Sequence, residues 1–114
     1  MTDPAVAIAA RLAELWRTTR PTIISRLNLL HSALDALTHN PADNEARSQG
    51  RDAAHKLSGI LGVFGLPEGS RIASEIEGIL IQPSDGGPGT LSPSALSSLL
   101  GYFADLDAVV GAKK

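Results

Sequence analysis

At 114 residues the chain has the size of one domain, and 43% hydrophobic but only 4% aromatic content calls for a core of Leu, Ile, Val and Ala. That suits packed helices better than a sheet, while a formal net charge of −2 gives no electrostatic footing for nucleic acid or an anionic membrane. The absence of cysteine excludes a disulfide framework, a zinc–thiolate site and thiol chemistry.

From the N-terminus, Met1-Thr2-Asp3-Pro4 lacks the basic start and apolar run of a secretory signal. No apolar stretch approaches the ~20 residues that cross a bilayer, so a cytoplasmic protein without a membrane partner is expected. Asp3 can cap a first helix with Pro4 in its first turn. Ile8, Leu12, Leu15 and Trp16 mark its apolar face through about Thr18. Pro21 opens a second helix, whose Ile23, Ile24, Leu27, Leu30, Leu34 and Leu37 recur at three- and four-residue spacing until Asn40-Pro41 ends it.

A third helix is expected from Asp43 or Asn44 to about Phe64, with Ala53, Leu57 and Leu61 inward and Gly65 as its stop. Pro67-Glu68 restarts a fourth, carrying Ile72, Ala73, Ile76, Ile79 and Leu80. Residues 82–91 read as a flexible loop around Pro83-Ser84-Asp85-Gly86-Gly87-Pro88-Gly89. Ser92-Pro93 then starts a last helix, and residues 111–114 read as a frayed tail. The whole predicts an all-α fold in one domain, 1–114: an antiparallel up-down four-helix bundle with a short additional N-terminal helix.

The third helix carries the chemistry. Each glycine inside a helix costs roughly 1 kcal/mol relative to alanine, yet Gly59 and Gly62 both follow His55 on its own side, within about 40° of it. Ser48, Arg51, His55, Ser58, Gly59 and Gly62 form one polar or bare stripe. An exposed imidazole, with a pKa near 6.5 when unperturbed, a cleared approach and Arg51 and Lys56 nearby suits accepting a phosphoryl group.

The run Ala54-His55-Lys56-Leu57-Ser58-Gly59, followed by Gly62 and Gly65, resembles the signature of histidine phosphotransfer (HPt) domains, the helical-bundle modules of two-component phosphorelays. Arg71-Ile72-Ala73-Ser74-Glu75-Ile76-Glu77 looks like that family's following helix, and the specific likeness covers about residues 50 to 80. The resemblance implies that His55 accepts a phosphoryl group from the aspartate of a response-regulator receiver domain and relays it to another receiver. A hybrid histidine kinase is a further possible partner. Ser48, Gly59 and Gly62 would form the receiver-docking surface and Gly65 the turn into the next helix. No cofactor of its own is implied, Mg²⁺ belonging to the receiver, and no autonomous kinase activity.

One departure stands out. The family pattern places lysine three residues after the histidine; here that residue is Ser58 and the lysine is Lys56. Arg51 or Lys56 is expected to supply the missing charge, with Ser58 offering a hydrogen bond. The departure keeps open an HPt-like bundle that only binds a receiver or kinase, and the glycines admit a plain bundle in which they serve helix packing. His31 and His39 lack a metal-ligand spacing, and Asp105 with Asp107, like Glu75 with Glu77, cannot share one site on a helix. Arg71 is placed to pair with Glu75, and Trp16 to cap a bundle end. A monomer is expected, since nothing in the residues alone supports pairing through the first helix.

Overall fold

The computed structural model describes residues 3–81 and 90–113, which contain four helices and no strand. They are α1 (Pro4–His39), α2 (Asn44–Val63), α3 (Pro67–Ile81) and α4 (Pro93–Ala112). Each packs on its neighbour in the chain, and α4 closes back on α1. Cross-helix contacts run antiparallel throughout: Arg47 at the start of α2 meets Leu80 at the end of α3, and Trp16 meets Phe64. The bundle interior is aliphatic, with Ile23, Leu30, Leu57, Leu61, Ile76 and Leu99 fully buried.

The predicted all-α bundle is present, but its first two helices are one. α1 runs unbroken for 36 residues with Pro21 inside it. Proline lacks the N–H that would bond the carbonyl of Arg17. Pro21 and Arg17 are both exposed, on the side of α1 away from the core, so the orphaned carbonyl belongs to a solvent-facing residue and is not sealed in the core. Trp16 and Ile23, buried on either side of the proline, hold both halves against the same core. There is therefore no separate short N-terminal helix.

The remaining boundaries follow their signals. Asp43 and Ser92 accept the Ala46 and Ala95 amides as N-caps, at 3.0 and 3.1 Å. Gly65, at φ 71°, ends α2, with the Leu66 amide on the Leu61 carbonyl and the Gly65 amide on that of Gly62. This pairing satisfies the last carbonyls and needs the left-handed backbone that glycine adopts without strain.

Four smaller expectations change. Of the predicted loop 82–91, residues 82–89 lie outside the described residues, whereas Leu91 is buried and donates its amide to Pro41. The tail 111–114 is not frayed where described: α4 reaches Ala112, and the Lys113 ammonium lies 5.3 Å from the centroid of the Trp16 ring. Arg71 pairs with Glu68 instead of Glu75, and that hydrogen bond lowers the Glu68 carboxyl below its usual range. α4 is 20 residues long and contains an 18-residue window of mean hydropathy 1.3, enough by length and composition to cross a bilayer, contrary to expectation. Here it is a bundle helix, with Leu99, Leu106 and Val110 buried.

Candidate functional site

His55 stands at mid-height on α2, its side chain 72% exposed. Side chains on a helix tilt toward the N-terminus, so the imidazole lies over the preceding turn. There it lines an open depression of about 660 Å³ with Ser48, Gln49, Arg51, Asp52, Glu77 and Ile81. The same tilt explains why the bare positions come after the histidine. A side chain at 59 or 62 would lean back toward the ring, while one at 48 or 51 leans away from it.

From α3, Glu77 reaches the ring. His55 Nδ1 lies 2.8 Å from Glu77 Oε2, and a carboxylate can only accept. Nδ1 therefore donates to Glu77, and in the neutral ring the lone pair lies on Nε2. Glu77 is itself largely shielded, its side chain 22% exposed. In the sequence, Glu77 reads only as half of a failed carboxylate pair with Glu75. Its partner is 22 residues away on the neighbouring helix, and only the α2–α3 register brings them together.

The other candidate residues separate into two groups. Ser48 and Arg51 share the depression with His55, and Arg51 has no ion-pair partner among the described residues. Lys56 instead leans back one turn to Asp52, at 3.0 Å. It lines a neighbouring groove with Arg26 and Leu29 of α1. Ser58 turns toward α3, its hydroxyl 2.7 Å from that of Ser74, and its carbonyl accepts from the Ser70 hydroxyl at 2.8 Å. Ser58 is thus a pin between α2 and α3.

The glycines also separate. A Cβ on Gly59 would meet nothing within 4 Å, and one on Gly62 would meet only the Ser70 hydroxyl, at 3.6 Å. Neither is held bare by helix packing. The packing glycine of α2 is Gly50, unremarked in the sequence, where a Cβ would lie 3.2 Å from Leu80 and 3.3 Å from Ala33.

The outlying candidates are structural. Trp16 is buried edge-on to Phe64 at the bundle end. His31 tilts against Phe103, and His39 donates from Nδ1 to the Asp35 carbonyl. Asp105 and Asp107 are exposed.

The profile of the Hpt domain family matches residues 11–109. The chain belongs to the Hpt domain family. A curated relative, Protein RcaC of Microchaete diplosiphon, is 34% identical over 68 residues, 60% of this chain and 10% of that protein. The chain therefore corresponds to a small part of that relative's length. No solved structure matches. Membership assigns a general role in phosphoryl transfer within two-component relays, in which Hpt domains meet receiver domains.

Proposed function

We propose that this Hpt domain is a relay carrier in which His55 takes a phosphoryl group from a receiver's aspartyl phosphate and passes it to a second receiver. The observation that carries this reading is the His55–Glu77 bond, which turns Nδ1 to Glu77 and makes Nε2 of the neutral ring the nitrogen available for attack, on an exposed side chain one turn before the open Gly59. In the accepting step the Nε2 lone pair attacks phosphorus. The N–P bond forms as the P–O bond to the aspartyl carboxylate breaks, and that carboxylate leaves with the electron pair. No proton has to move: it stays on Nδ1, and the Glu77 carboxylate balances the positive ring. Onward transfer runs the same exchange in reverse. Magnesium and the acidic pocket that holds it belong to the receiver, in the cytoplasm, and this chain alone turns nothing over.

Arg51 is the cation best placed to meet the phosphoryl oxygens, because Lys56 is committed to Asp52. Transfer from a phosphorylated receiver should slow by about tenfold in Arg51→Ala and by less than about twofold in Lys56→Ala. Equal rates in all three proteins would remove the cation from the mechanism. Glu77→Ala should slow transfer by about tenfold or more through loss of the tautomer lock, and Glu77→Gln, whose amide oxygen still accepts from Nδ1–H, should recover part of it.

The decisive experiment is incubation with a radiolabelled phosphoreceiver, followed by chemical characterisation of the label on this chain. Label that is lost in acid and kept in alkali marks a phosphohistidine. A receiver that binds without leaving such label would instead establish the binding-only module.

A further inference from the structure

α1 is longer than the bundle it belongs to. At 1.5 Å per residue its 36 residues span about 54 Å, against about 30 Å for α2 and for α4. The molecule is accordingly a rod of 62 × 19 × 19 Å. None of residues 4–15 is buried, and the first buried side chain of α1 is Trp16, at the bundle end. Roughly 18 Å of helix therefore overhangs.

That overhang is not a polar solvated helix. Ile8 and Leu15 are 62% and 43% exposed and Leu12 is 37% exposed. With Ala5 they follow a 3-4-3 spacing that makes one stripe. The stripe lies within about 40° of the face that α1 buries further along. The core face of α1 thus continues past the end of the bundle with nothing packed on it. A segment of about 12 residues is marginal as an isolated helix in water, so a partner surface would stabilise it.

We infer that this overhang pairs antiparallel with the overhang of a second copy of the chain, through the stripe Ala5, Ile8, Leu12 and Leu15. The stripe is self-complementary in that orientation. Ile8 of each copy falls opposite Leu12 of the other, and Ala5 opposite Leu15, so every layer of the stripe is filled. Length fits as well: in this register Pro4 of the second copy reaches the level of Trp16, where the first bundle begins. Each overhang occupies the space beyond the other's bundle end, and neither collides with a bundle.

Charge agrees at the ends of the pairing. Asp3 and the positive N-terminal end of α1 arrive where α2 and α4 present their C-terminal ends. Lys113, above Trp16, has no carboxylate partner among the described residues and meets Asp3 of the second copy there. The two Arg11 side chains share one flank near the two-fold axis and hold the affinity down. So does the size of the stripe, which is small beside the roughly 20–30 residues a side of a standard interface. The dimer is weak and concentration-dependent, in place of the monomer expected from the residues alone.

Sedimentation equilibrium and small-angle scattering over a concentration series of the 114-residue chain test this. The expected result is a mass rising toward two chains, with a maximum dimension growing from the 62-Å rod to about 100 Å, as two rods overlap by one overhang. Leu12→Asp should remove the dimer while the thermal transition of the bundle is retained. Ile8→Glu should do the same with the helix kept, because a carboxylate near a helix N-terminus is favourable. A single-chain mass up to millimolar concentration overturns the proposal. So does a dimer no longer than the monomer, or one that persists in both variants.

Discussion

His55→Gln is expected to abolish phosphate acceptance from a labelled receiver, by more than about 10³-fold, while the bundle keeps its stability within about 0.5 kcal/mol. The two halves of this expectation have separate causes. Glutamine has the reach of histidine but no ring nitrogen whose lone pair can attack phosphorus, so the N–P bond cannot form. The side chain is 72% exposed and contributes nothing to the core, so its removal costs only the surface bond to Glu77. Matching thermal melts alongside absent label would place the loss in chemistry. Acceptance that survives in His55→Gln would mean that another group carries the phosphoryl, and the assignment of His55 would fall.

Local signals in the sequence located most of the helices. Asp43, Gly65 with Pro67, and Ser92-Pro93 each act within one turn of themselves, and the helix boundaries they mark fall where expected. Pro21 reads the same way locally but acts through tertiary context. Pro21 and Arg17, whose carbonyl it orphans, are exposed, and Trp16 and Ile23 are buried on either side, so the helix continues through the proline. The site divides along the same line. The His55 stripe was legible because helix geometry relates residues three and four apart. Glu77 was not, since its relation to His55 exists only once α3 lies antiparallel on α2.

Ser58 shows the same limit from the other side. Its place three residues after His55 suggested a share in holding phosphate, whereas a hydroxyl this short reaches the adjacent Ser74 first. Lys56 is turned away by an equally local rule: a long side chain leans toward the helix N-terminus, and Asp52 waits one turn back. The depression beside the imidazole joins Arg51 of α2 to Glu77 of α3, an arrangement that no single helix wheel contains.

Gly59→Leu should separate fold from function most sharply. The position is exposed, helical and open, with nothing within 4 Å of an added Cβ. Leucine there removes the backbone entropy cost of glycine and is expected to stabilise the domain by about 0.5–1 kcal/mol, read as a rise of a few degrees in the melting temperature. The same side chain tilts back toward His55 and fills the space through which a receiver's aspartyl phosphate would come to Nε2. Transfer should fall by about 100-fold or more, since even an ångström of misplacement at a reacting centre costs on that order. Gly59→Ala should gain nearly the same stability at a smaller loss, because a lone methyl group stays closer to the helix surface. A leucine variant that is less stable than the parent would show that the glycine serves packing after all. One that is more stable and transfers at the parent rate would show that the bared surface is not where the receiver approaches.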